Sequence, residues 1–324
     1  MNINNGKTNG GEGHKLYGRS MRAADVSHCS VGAWGFYMLV RLELTGEFDD
    51  GKRPDFTEAP QWFEIKLLIS LDNGATVNYK KPMANTSYDA GIWRTLKALS
   101  LASNHIVHIG RILGANELAL AEVPEDDIRI YGNWSPSITD KSYSIKLPIN
   151  SMRNMAGYAN RAYFCPRSQL EPPQSLKDMI FPFASSELEK VEHAIRNPPP
   201  NKPANYCATA QAFLHLLVRM KTIILQDAAA MLIQCPDRVR HPMFSLAVFR
   251  DPRFMVPFQY FVDVALQTDN TNTHSYLTGI QGSYEATPSK SSGKDDYPTA
   301  AKSGARRQHE YRAIHCGLPP GHPE

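Results

Sequence analysis

Apolar residues recur three and four positions apart through most of the chain, and the elements they predict are mainly helices. Across residues 30–44, Trp34, Tyr37, Met38, Arg41 and Leu42 keep helical spacing, with Ser27 as the expected N-cap. Residues 88–101 put Ile92, Trp93, Leu96 and Leu99 on one face. A third helix is predicted over residues 104–121. Pro124, followed by Glu125 and Asp126, opens a fourth, because proline suits a first turn and carboxylates suit a helix's positive end. Short helices are expected at residues 141–146 and 151–158, and the Gly-punctuated run 6–17 reads as a β-hairpin. A proline break at Pro198, Pro199, Pro200 and Pro203 precedes the longest apolar stretch, Ala208 to Ile233, where Phe213, Leu216, Leu217, Met220 and Ile224 share a face. From Thr268 onward, Ser, Thr, Gly, Lys and Asp dominate, with too little apolar surface to offset the entropy of ordering. The expected class is mainly α with a small β-hairpin or sheet. Three regions follow: residues 1–166, a helical extension over 167–267 and a disordered tail over 268–324.

Charge narrows the functional classes. The 35 Lys and Arg against 32 Asp and Glu leave only +3, which excludes a histone-like polycation but allows a local basic patch. Four Lys/Arg against the single Glu12 mark residues 1–24, while the tail balances six cations with six acids. All four tryptophans precede residue 135, so the main core is expected in the N-terminal region. Five scattered cysteines, odd in number and never in a C-x-x-C pair, point to a reducing compartment. Arg219, Lys221, Gln226 and Asp227 interrupt the longest apolar stretch, so a buried helix is expected and no membrane partner. Residues 1–13 are rich in Asn and Gly without the apolar core of a signal peptide. His28–Cys29 has no second ligand pair at metal spacing, and Gly10-Gly11-Glu12-Gly13 lacks the phosphate-loop pattern, so neither a metal nor a cofactor is expected.

The chemistry rests on His108-Ile109-Gly110-Arg111, which puts an imidazole and a guanidinium on one side of a helix. Two other His-x-x-Arg runs occur, at His193–Arg196 and His309–Arg312. Only the first is followed by Trp134 at 23 residues, inside Gly132-Asn133-Trp134, and by Tyr143 nine residues later. This spacing resembles the tyrosine-recombinase pattern of His-x-x-Arg, His or Trp, and Tyr. More narrowly, it is similar to the fungal Crypton-type recombinases of mobile elements and to the DNA-binding domain of the yeast centromere-binding complex. Residues 24–33, Arg53-Pro54-Asp55-Phe56, residues 62–68, Leu147-Pro148 and Met155-Ala156-Gly157 carry the narrower likeness.

The resemblance implies a tyrosine-recombinase-like (DNA breaking-rejoining) fold for residues 1–166, duplex DNA as partner and the nucleus as location. It also implies roles. Arg111 and His108 would bind the scissile phosphate, Trp134 would donate to it through its indole N–H, and Tyr143 would be the nucleophile. The family's hairpin lysine best matches Lys7, and Lys15, Arg19, Arg22 and Lys141 would add DNA contacts. The family's first arginine lies upstream of that hairpin and has no counterpart here, nor has the helical clamp domain before it. The chain is therefore expected to be the C-terminal part of a longer architecture, binding DNA without cutting it. Two alternatives stay open. One is an active recombinase forming a 3′-phosphotyrosyl intermediate through Tyr143. The other is a protein-interaction scaffold that has lost DNA contact, with homodimerisation through the C-terminal helices; the near neutrality of residues 1–166, 18 cations against 17 acids, favours it.

Overall fold

The structure, a computed structural model, describes residues 2–3, 16–17, 20–48, 51–62, 65–72, 76–100, 108–132, 134, 147–158, 165–200, 202, 206–260, 262–264 and 266–267. The helix expected at residues 141–146 and the tail from Thr268 lie outside them. The chain divides into two compact units, residues 1–165 with 173–225, and residues 166–172 with 226–324.

The first unit opens with β1 (Asn2–Ile3) paired antiparallel to β2 (Leu16–Tyr17); β2 ends the expected hairpin run 6–17, while β1 lies before it. α1 (Ser30–Leu39) follows and passes into a π-helical turn over Val40–Leu44. Its N-cap is Cys29, whose sulfur accepts the Gly32 amide at 3.3 Å, and not the expected Ser27. Ser27 instead sits one turn earlier, where Asp25 caps a 3-10 turn over Val26–His28 and takes both the Ser27 amide and hydroxyl. A carboxylate accepts more strongly than a hydroxyl, so Asp25 takes the first cap and leaves Ser27 inside the turn.

The short α2 (Ala59–Trp62) leads to a second antiparallel ribbon, β3 (Ile69–Asp72) with β4 (Thr76–Pro82), which carries a register shift at Ile69/Ser70. Helices α3 (Asn85–Ala98), α4 (Ile109–Leu120), α5 (Glu125–Tyr131) and α6 (Ile149–Met155) come next. The unit is completed by α7 (Gln174–Lys177), α8 (Pro182–Arg196) and the first part of α9 (Ala208–Gln234). Among the described residues, no helix is long and apolar enough to cross a membrane.

Burial is deepest on α8 and α9, where Ala184, Val191, Ala210, Leu214, Leu217, Ile224 and Leu225 are fully enclosed. Gly35 of α1 lets α9 approach closely: a methyl there would sit 3.0 Å from the Ile224 side chain. Phe48 meets Phe56 and Phe183 edge to face, at 6.2 and 5.6 Å. The tryptophans do not build this core. Trp34, Trp62 and Trp134 are half-buried and Trp93 is exposed, so the tryptophans, used as the sign of an N-terminal core, are not its most deeply buried residues. Aliphatic side chains on a long helix pack against neighbours on several sides, whereas a large indole is seldom fully enclosed.

The second unit is held by Arg167 and Asp227, both fully buried, with Nε donating to Oδ1 at 2.6 Å. The neighbouring Gln226 amide donates to the Leu170 carbonyl. These two bonds fasten residues 166–172 to the end of α9. Beyond α9 come 3-10 turns over Pro236–Arg240 and Pro242–Ser245, α10 (Ala247–Arg250) and a π-helical turn over Phe254–Phe258. Phe244, Phe249, Phe254 and Phe258 form a run of ring contacts at 5.2, 5.3 and 5.9 Å.

Candidate nucleic-acid interface

Three of the residues singled out in the sequence meet at one place, and α4 and α5 explain how. α4 starts at Ile109, so His108 is its N-cap residue and Arg111 lies in its first turn. The helix stops because Glu122 takes a left-handed φ of 55°. There the Val123 amide bonds back to Leu118 at 3.0 Å and the Glu122 amide to Ala119 at 3.0 Å. This is a Schellman turn, and the Leu118–Val123 contact that accompanies it seeds a small core with Ile128. Pro124 then caps α5, whose first turn holds Glu125, Asp126 and Asp127 against the positive helix end.

α5 returns the chain to Arg111. The Gly132 amide bonds to Ile128 at 2.9 Å and the Trp134 amide to Arg129 at 3.0 Å, folding the indole back over the helix end. Arg111 donates through Nη2 to the Gly132 carbonyl and lies 5.9 Å from the centroid of the Trp134 ring. The guanidinium is thus gripped from two directions, by a carbonyl and by an aromatic face. Its other N–H groups have no partner among the described residues, and both Arg111 and His108 are exposed. His108, Arg111, Ile112 and Trp134 line an open concavity of about 410 Å³.

The remaining candidates separate. Lys7, Lys15, Arg19, Lys141 and Tyr143 lie outside the described residues. Arg22 is buried, in the stretch where the Ala24 amide bonds to the Ala156 carbonyl at 2.8 Å, so it is not displayed as an exposed surface cation. Gly132 is the residue that sequence reasoning passed over. A methyl on Gly132 would lie 2.9 Å from two indole carbons.

Gly132→Ala is therefore expected to push the indole off Arg111 and to cost about 1–3 kcal/mol in urea unfolding. Gly110→Ala supplies the comparison. Nothing lies within 4 Å of the added methyl, so it should stabilise the helix by about 0.5–1 kcal/mol. Equal behaviour of the two variants would remove the close-packing account of Gly132.

An anchored guanidinium beside an imidazole and an indole is a set of donors suited to an anionic oxygen. Neither a curated protein nor a solved structure matches the chain. A family's sequence model does match, over residues 1–255, which takes in both ribbons, the His108–Arg111–Trp134 concavity and α9. On that match the chain belongs to the family of the centromere DNA-binding protein complex CBF3 subunit, domain 2.

Proposed function

We propose that this chain binds duplex DNA through its phosphates, as a nuclear protein derived from a tyrosine recombinase, with His108, Arg111 and Trp134 forming the phosphate site. The observation that carries the reading is the held Arg111 guanidinium, exposed beside His108 and an indole at the rim of the concavity. A forked, permanently charged donor fixed before the ligand arrives loses little entropy on binding a phosphate. Membership of a centromere DNA-binding family supports the same partner. On this reading the recombinase-type fold positions the site, Lys7 and Tyr143 stand where that chemistry once acted, and the chain binds DNA without cleaving it.

Binding should be weak and salt-sensitive, with a slope of log K against log salt on the order of −3 to −5, because few cations are available. Arg111→Ala is expected to weaken binding about tenfold on any duplex sequence and to make the slope shallower by about one. A phosphate contact carries no base information, so the loss should be uniform. Fluorescence-anisotropy titration of two unrelated duplexes at several salt concentrations reads all three quantities. Unchanged affinity in Arg111→Ala removes the site, and no binding at low salt favours the scaffold reading.

A further inference from the structure

The concavity leans on a buried carboxylate and the exposed side-chain amide that meets it, neither of which the phosphate chemistry uses. Asp127 is only 6% exposed, yet it stands between α5 and α6, which pack on each other and on α4. Its Oδ2 accepts the Asn150 side-chain amide at 2.9 Å, and among the described residues Asn150 is the hydrogen-bond partner of that carboxylate. Burying a carboxylate is costly, and apolar side chains would join two helices at less cost. What a hydrogen bond to a buried carboxylate adds is directionality: it favours one register of the helices where aliphatic contacts admit several.

The register matters here because α5 ends at Tyr131, directly before Gly132, whose carbonyl holds Arg111. At the α4–α6 contact, a Cβ at Gly114 would stand 3.6 Å from the Met155 methyl, ordinary van der Waals contact, and methionine adapts readily. Arg111 lies in the first turn of α4, Asp127 in the first turn of α5, and Asn150 in α6.

We infer that Asp127 and Asn150 are positioning residues: their hydrogen bond fixes α5 against α6 and thereby holds the Gly132 carbonyl and Trp134 where they orient Arg111 toward phosphate. The inference rests on the phosphate-site reading and extends it to residues outside the concavity.

The test is a coupling measurement on the full chain, with duplex DNA as the probe. Asn150→Leu changes no charge and leaves Asp127 without its donor. It should lower affinity about fivefold on unrelated duplexes and make the salt slope shallower by about one. In an Arg111→Ala background the same change should do nothing further, because the group it orients is gone. The exchange Asp127→Asn with Asn150→Asp rebuilds the bond with donor and acceptor reversed, and should restore affinity to within about twofold. Should Asn150→Leu melt below the assay temperature, Asn150→Ser, which is polar but too short to reach, takes its place. A lowered melting temperature with unchanged affinity, additive effects with Arg111→Ala, or failure of the exchange to restore binding would each overturn the positioning role. If Arg111→Ala itself leaves affinity unchanged, the phosphate site fails instead, whatever Asn150 does.

Discussion

Asp227→Ala is expected to destabilise the protein by about 3–5 kcal/mol, and Arg167→Met by a similar amount. Both side chains have no solvent exposure, and the 2.6 Å bond between them crosses 60 residues of sequence. Either charge alone would stay in a low-dielectric interior with a strong partner removed. The desolvation penalty then appears almost in full, which makes a broken buried pair costlier than a surface pair worth about 0–1 kcal/mol. Replacing both at once, Arg167→Met with Asp227→Leu, should recover most of the loss, because no uncompensated charge remains. Urea unfolding followed by circular dichroism and by tyrosine and tryptophan fluorescence measures each variant. A loss below about 1 kcal/mol for Asp227→Ala would show that the pair is more hydrated than its burial implies.

Arg41→Met should be as damaging at neutral pH and should reveal itself by a pH dependence. Arg41 donates to both oxygens of Glu47, at 2.8 and 2.6 Å, and to the carbonyls of Lys66 and Leu67, at 2.9 and 2.7 Å. Tyr37 adds its hydroxyl to the Leu67 carbonyl at 3.0 Å and takes the Ile69 amide at 3.3 Å. Together they clasp the root of the β3–β4 ribbon to the end of α1. Burial already pushes the Glu47 carboxyl above its ordinary range, against the pull of Arg41. Without Arg41 that push is unopposed.

A carboxyl whose folded pKa lies above its unfolded value, ~4.3 for Glu, binds its proton more tightly in the folded state. Stability is then fully present below the unfolded pKa and is lost as pH rises through the raised one. The gap between Arg41→Met and the native chain should therefore be about 3–5 kcal/mol at pH 7 and should narrow steadily toward pH 4. Carboxylates shifted the other way, such as Asp251, held at about 2 by Arg253, titrate alike in both proteins and cancel in the difference. A gap independent of pH would mean that Glu47 finds another donor.

The sequence carried the local part of the architecture. α4 falls within the predicted stretch 104–121, α3 overlaps the predicted 88–101 but starts earlier, at Asn85, and α5 follows Pro124 as its proline and acids implied, because a helix face and its capping turn are set by residues a few positions apart. The break after α8 followed from its prolines, which cannot continue a helix. His108, Arg111 and Trp134 were legible as a set because the resemblance to a motif preserves their spacing, and the structure places them around one concavity. Tyr143 and Lys7 remain statements of sequence.

Pairing between distant residues was decided by the tertiary structure alone. Arg167 with Asp227, Arg41 with the Lys66 and Leu67 carbonyls, and Arg111 with Gly132 each join positions whose approach no local pattern encodes. The same is true of burial. Lys221, Gln226 and Asp227 looked like polar interruptions of an apolar helix, yet all three are enclosed, bonded to Ser185, Leu170 and Arg167 respectively. A one-dimensional pattern records which side chains would gain by leaving water. Which polar groups can afford to go with them depends on the donors and acceptors that the returning chain brings within reach.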